Sequence, residues 1–307
     1  MKTKGIHHIS SMVGDAQKDV DFYASVLAYR MVKKTLNYDD QTMYHLYYGN
    51  HDASSGLVTT FPMNFTHQGI VGSGQLGIAG FGLRPENFDF WKERLEEFGI
   101  ETEEYTRFNR RRLAFDDPDG LELEFIETDQ GPKNEWAFNG VASEQAIIGI
   151  ESSLLYSKKP AETLHLLTEI MGYEIIDENP DYYLLKIHDE LGGILELAKR
   201  APRRGIPGVG TVHHIAFSVE NDEIEDWHEK LKKAGYRPTE VKNRNYFQSL
   251  YFRESGGILF EFATEGPGML IDEDLENLGE KLITPPHFRE EEQALLPEIE
   301  VRAIDEI

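Results

Sequence analysis

Two histidine pairs and one glutamate are the residues whose types and spacing point to chemistry. Residues 6–13 read IHHISSMV and residues 212–219 read VHHIAFSV, each a short apolar run carrying adjacent histidines. Glu261 interrupts a third apolar run, GILFEF at 257–262. The chain has no cysteine, so disulfides, thiolate metal sites and cysteine nucleophiles are excluded. A metal must then be held by His, Asp or Glu. Two imidazoles and one carboxylate on three rigid strands make a facial triad, which leaves about three positions open on an octahedral ion. That is room for a substrate oxygen and dioxygen together. Nitrogen and oxygen donors without sulfur suit Fe(II) first and Mn(II) next, with Zn(II) still open. Neighbouring side chains of a strand point to opposite faces, so one histidine of each pair faces a site directly. Twist near a strand end lets the other approach at a different depth. A lone strand histidine reads as a satisfied core residue. Two pairs at the same place in two repeats, with a registered glutamate, reverse that reading.

The elements that position these residues form a repeat. Each His run is followed by a helix-like segment and then by short runs rich in Tyr, Phe, Val and Thr, which read as strands. DPDGLELEF at 117–125 lies over ESGGILFEF at 254–262 with an offset of 137 residues. The same offset sets Arg107 over Arg244 and Gly77 over His214, and both Gly77–Glu124 and His214–Glu261 span 47 residues. IIGIESSLLY at 147–156 and GGILELA at 192–198 supply another copy. The chain therefore reads as four βαβββ modules at 5–62, 75–127, 147–198 and 211–264. They group as an N-terminal pair within 1–140 and a C-terminal pair within 147–264, followed by an acidic tail at 265–307. The Glu-rich, Leu-containing stretch of that tail is expected to form one helix.

A module with one curved four-stranded sheet cannot bury both faces alone, whereas two modules close a cup. The predicted architecture is α+β, four modules paired into two cup-shaped barrels. Only modules one and four carry histidine pairs, so these two should share a cup. Glu124 takes the place of Glu261 in module two without a histidine partner. It is therefore expected to be structural or paired with an arginine, with Glu196 near the equivalent strand of module three.

The 307 residues carry 31 basic and 55 acidic side chains, a net charge of −24. Nucleic acid and anionic membranes are polyanions and are disfavoured as partners. The N-terminus MKTKGIHHIS lacks the apolar run of a signal peptide, and no stretch approaches the ~20 apolar residues of a membrane span. A cytoplasmic location is expected. Oligomeric state, including a homo-oligomer, is left open.

The HHIS and HHIAFS strands, Arg244, Tyr251 and FEFATEGPGM at 260–269 together resemble the vicinal oxygen chelate superfamily, within it the dioxygenases that cleave para-hydroquinone rings. The resemblance implies paired βαβββ modules and His8, His214 and Glu261 as ligands of Fe(II), or of Mn(II) or Zn(II). It also implies His7, His213, Arg244 and Tyr251 near a small aromatic substrate and O2. Ser10 falls where the hydroquinone enzymes have Thr, which enlarges the site by about a methyl group. His213 is the first candidate for proton transfer. Thr59 or Thr60, weak ligands both, should lie where a fourth ligand would sit. The remaining histidines, His45 included, have no repeat partner and read as structural. Two other readings are a glyoxalase-type isomerase or lyase and a protein that only binds an aromatic ligand. The former usually wants a second glutamate where this chain has GLVTTFPM; the latter needs no metal.

Overall fold

The computed structural model describes residues 1–54, 56–63, 66–288 and 296–307. Module one comprises β1 (Ile6–Val13), α1 (Ala16–Val20), β2 (Arg30–Asn37), β3 (Asp40–Gly49) and β4 (Leu57–Pro62). Module two comprises β5 (Gln75–Leu83), α2 (Phe88–Glu97), β6 (Glu103–Arg107), β7 (Arg110–Asp116) and β8 (Glu122–Glu127). Module three comprises β9 (Gly149–Tyr156), α3 (Pro160–His165), β10 (Glu174–Glu178), β11 (Tyr182–Lys186) and β12 (Ile194–Ala198). Module four comprises β13 (Thr211–Val219), α4 (Ile224–Lys233), β14 (Lys242–Asn243), β15 (Gln248–Arg253) and β16 (Leu259–Thr264). A short β17 (Leu282–Ile283) belongs to the tail. No helix among the described residues is long and apolar enough to cross a membrane.

The strands form two sheets. One runs β14-β15-β16-β13-β1-β4-β3-β2-β17 and the other β10-β11-β12-β9-β5-β8-β7-β6. Modules one and four thus share the first cup through the antiparallel β1–β13 seam, and modules two and three share the second through β5–β9. The halves 1–140 and 147–264 are pairs in sequence but not in sheets. First strands lie mid-sheet with helices behind them and are buried almost throughout, which is why they read as continuous apolar runs.

Local chemistry repeats between modules. Asp15 caps α1 by accepting the Lys18 N–H at 2.9 Å. Trp91 of α2 packs on Phe125 of β8 with ring centres 4.9 Å apart, and Trp227 of α4 packs on Phe262 of β16 at 4.8 Å. Asp117 accepts the backbone N–H groups of Asp119 and Leu121, and Glu254 accepts those of Gly256 and Ile258.

These landmarks correct the ungapped frame. The tryptophans are 136 residues apart but the capping carboxylates are 137 apart, so one residue slips between the helix and the later strands. Gly80 pairs with Glu124 as Ala216 pairs with Glu261. The counterpart of His214, two residues before Ala216, is therefore Ile78 rather than Gly77.

The tail is wrapped onto the first cup. β17 pairs in parallel with β2, and Met269 and Leu278 pack beside Tyr47, Tyr246 and Phe247. Lys33, fully buried on β2, reaches Asp272 at 2.6 Å and Glu273 at 2.5 Å. A buried ammonium is tolerable only with such partners. Most of the stretch expected to be helical falls at 289–295, outside the described residues.

Candidate metal centre

Three buried side chains from three adjacent strands converge in the first cup: His8 on β1, His214 on β13 and Glu261 on β16. His8 Nε2 lies 3.1 Å from His214 Nε2 and 3.1 Å from Glu261 Oε2, and His214 Nε2 lies 2.8 Å from the same oxygen. Ligands at right angles around an ion with bonds of about 2.1 Å stand about 3.0 Å apart, whereas a tetrahedral ion spreads them to about 3.4 Å. The three ligand atoms of the triangle are close enough together to meet on one ion.

Electrostatics agree with a cation there. Both Glu261 oxygens are buried and neither makes an aligned hydrogen bond among the described residues, despite the close imidazoles. A buried carboxylate without donors is expensive unless something positive completes it. Burial pushes the Glu261 carboxyl up, but His8 and His214 outweigh that and hold it well below the usual carboxylate range. His214 is itself held below the ordinary imidazole value, chiefly by burial.

The second histidine of each pair is oriented by the first, through a β-bulge rather than strand twist. On the seam, Ile6 pairs with Phe217 and His8 with Ala216, leaving His7 as the extra residue. Further along, Ser10 pairs with His214 and Ser11 with Val212, leaving His213 extra. A bulge re-aims a side chain that would otherwise point to the opposite face. His7 Nδ1 thereby meets His8 Nδ1 at 2.7 Å, and His213 Nδ1 meets His214 Nδ1 at 2.8 Å. With His7 Nδ1 as the acceptor, His8 would carry its proton on Nδ1 and its Nε2 lone pair would face an ion. Burial first, and His8 second, push His7 down to about 3. His213 shifts in the same direction, although its ring is exposed.

The other expected residues lie in this cup. Tyr251 pairs with Glu261 in register, with its ring 5.6 Å from that of His214. Arg244 Nε donates to the Tyr251 hydroxyl at 3.3 Å, and its Nη2 reaches Asp39 at 2.8 Å from the β2–β3 turn. Burial pushes the Tyr251 hydroxyl up, so it stays a neutral donor. Ser10 shares the inner face with His8 and bonds Thr59 at 2.6 Å. Thr60 points the other way, donating to Asp19 under α1 at 2.6 Å. Ser10 pairs with Thr59 as Ala216 pairs with Glu261, so Thr59 is the pseudo-twofold counterpart of Glu261.

Sequence reasoning missed His45 and Tyr47. His45 is bonded to Thr59 at 3.0 Å and to the Tyr47 hydroxyl at 3.0 Å. Tyr47 pairs with Thr59 as Tyr251 pairs with Glu261. A comparison of module one with module four would have exposed Tyr47 as the partner of Tyr251. Phe247 was also missed; its ring lies 5.0 Å from His7 and 5.5 Å from His8.

The second cup holds cations of its own. Ile78 and Ser152 stand where the first cup has His214 and His8, since Leu154 pairs with Glu196 as Ser10 pairs with Thr59. Arg107 and Arg112 each bridge Glu124 and Glu196, and Tyr105 donates to Glu124. Guanidinium groups occupy the ground that an ion would need.

A family model described as the Glyoxalase/Bleomycin resistance protein/Dioxygenase superfamily matches residues 5–125 and 149–262. The chain belongs to that superfamily. The Bacillus subtilis (strain 168) superfamily protein named "Putative ring-cleaving dioxygenase MhqO" is 42% identical over 310 residues, spanning 99% of both chains. The chlorohydroquinone/hydroquinone 1,2-dioxygenase of Sphingobium indicum is 30% identical, covering 96% of this chain and 95% of that one. A crystal structure from Bacillus subtilis, 40% identical, gives a TM-score of 0.95 over 99% of both chains. Glyoxalase I from Zea mays, at 14% identity and a TM-score of 0.61 over 85% of this chain and 92% of its own, shares the superfamily fold. Within the superfamily the chain groups with proteins named as ring-cleaving dioxygenases.

Proposed function

We propose that the chain is an Fe(II)-dependent, extradiol-type ring-cleaving dioxygenase acting on a hydroquinone or related diphenol, with His8, His214 and Glu261 as the metal ligands. The observation that carries this reading is the triangle of three buried ligand atoms with edges of 2.8–3.1 Å. The relatives named for ring cleavage support the same reaction class. When bound, the ion would act as a Lewis acid toward a substrate hydroxyl and hold dioxygen beside it. The N2O donor set suits Fe(II), with Mn(II) next and Zn(II) also compatible.

The protein's own residues bind, orient and move protons. His7 and His213 keep the ligand imidazoles in the Nδ1–H form. Tyr251 and Arg244 are read as donors to substrate oxygen, stabilising the negative charge that grows as the ring opens. His213 is our candidate for moving a proton at Nε2, supported by its exposed ring and by the commitment of Nδ1 to His214. A glyoxalase-type isomerase loses its second carboxylate, because Thr59 stands at the counterpart position of Glu261.

The test is oxygen uptake. Protein purified without oxygen, loaded with Fe(II) and given hydroquinone should consume one O2 per ring opened and develop the ring-cleavage chromophore. No uptake across a panel of diphenols, with metal bound, defeats the reading.

A further inference from the structure

On the module-one side of the cup, four side chains form one continuous hydrogen-bond chain. The Tyr47 hydroxyl lies 3.0 Å from His45 Nδ1, His45 Nε2 lies 3.0 Å from Thr59 Oγ1, and Thr59 Oγ1 lies 2.6 Å from Ser10 Oγ. All four are buried. They come from β3, β4 and β1, whose registers set Tyr47 beside Thr59 and Thr59 beside Ser10. We propose that this chain is a relay in which Tyr47, His45 and Thr59 act as positioning residues, turning the Ser10 hydroxyl into a committed donor toward a substrate oxygen in the cup. This rests on the diphenol reading above and deepens it.

The direction of the chain follows from where its ends lie. A neutral imidazole has one N–H and one lone pair, so, with the buried Thr59 O–H also used within the chain, the four groups can be ordered in only two ways. In one, Ser10 donates to Thr59, Thr59 to His45 and His45 to Tyr47, which leaves the Tyr47 O–H to find an acceptor. Tyr47 sits in an apolar cluster with Val32, Leu57, Ala216 and Phe247 and has no other hydrogen-bond partner among the described residues. A buried donor orphaned there is costly. In the other order, Tyr47 donates to His45, His45 to Thr59 and Thr59 to Ser10. Every internal proton is used, and the spare O–H belongs to Ser10, on the same strand face as His8. Burial holds His45 well below the ordinary imidazole value, which keeps it neutral and the chain directional. The phenolic oxygen of a hydroquinone or its phenolate is the chemical class of acceptor that such a donor fits.

The module-four counterparts do not reproduce this chain. Ala216 stands in the place of Ser10 and Glu261 in that of Thr59, so donors to the substrate on that side are Tyr251 and Arg244. The relay supplies the donor from the opposite wall.

The experiment reads anaerobic binding of hydroquinone to the Fe(II)-loaded protein by titration calorimetry, so no turnover is involved. Ser10→Ala should raise Kd about tenfold, and Tyr47→Phe and Thr59→Val each by at least about threefold, with Thr59→Ser near the wild type. In the Ser10→Ala background, Tyr47→Phe should add nothing. Wild-type affinity in Tyr47→Phe, or full additivity with Ser10→Ala, overturns the relay and leaves the dioxygenase reading intact. Failure of the wild type to bind hydroquinone overturns it too. A wild type that binds with the expected relay effects but consumes no oxygen ends the dioxygenase reading and leaves the relay standing.

Discussion

His7 Nδ1 lies 2.7 Å from His8 Nδ1, although adjacent residues of a regular strand point to opposite faces. The bulge that brings them together recurs at His213 and His214 on the facing strand. Each cup-facing imidazole is therefore hydrogen-bonded at Nδ1 by its own sequence neighbour.

On the proposed ligand set, that arrangement should make His7 and His213 determinants of metal affinity. His7→Ala and His213→Ala should each weaken Fe(II) binding by about 10–100-fold with the fold retained. Competition against a chelating dye, beside an unfolding curve, reads both quantities. Undiminished affinity in both variants would show that the ring contacts do not matter.

In the second cup, Arg112 neutralises Glu124 and Glu196 from full burial. Arg112→Ala should lower stability by about 3–5 kcal/mol, because it leaves buried carboxylates short of a cation. Arg111→Ala, whose ion-pair partners Asp89 and Glu104 are exposed, should cost far less. Urea unfolding of the two variants compares them, and equal losses would contradict the assignment.

Above about pH 6.5, where the low-lying buried histidines no longer act in the opposite sense, stability should fall as pH rises to about 8. Burial raises the Asp19 carboxyl to about 8 and the Asp117 carboxyl to about 7. The folded protein thus holds protons that the unfolded chain has released, and this contribution, full below the unfolded value, is lost as pH climbs through the folded one. Asp19→Asn keeps an acceptor for Tyr48 and Thr60 and should flatten the slope. An unchanged slope in Asp19→Asn would reject Asp19 as its source.

Much of this was legible in the chain itself, for physical reasons. The histidine pairs and Glu261 stand out because polar groups in apolar strands are rare, and their confinement to modules one and four implied that these share a cup. Glu124 was expected to pair with arginine, and it does. The bulges were not legible, since an extra residue changes which face a side chain takes without changing composition. The one-residue slip that moves Ile78 onto His214 was hidden for the same reason: Gly77 and Glu124 kept the right spacing by coincidence. His45 went unread because its meaning comes from Thr59 and Tyr47, which meet it only across strands. The tail's role lay beyond reach as well, because Lys33 and Asp272 are far apart in sequence.

The most direct test is metal stoichiometry by equilibrium dialysis against Fe(II) without oxygen. One ion per chain should bind to the wild type, and His8→Ala, His214→Ala and Glu261→Gln should each abolish that binding while remaining folded. Retention of a full equivalent by all three variants, or no binding by the wild type, would contradict the account.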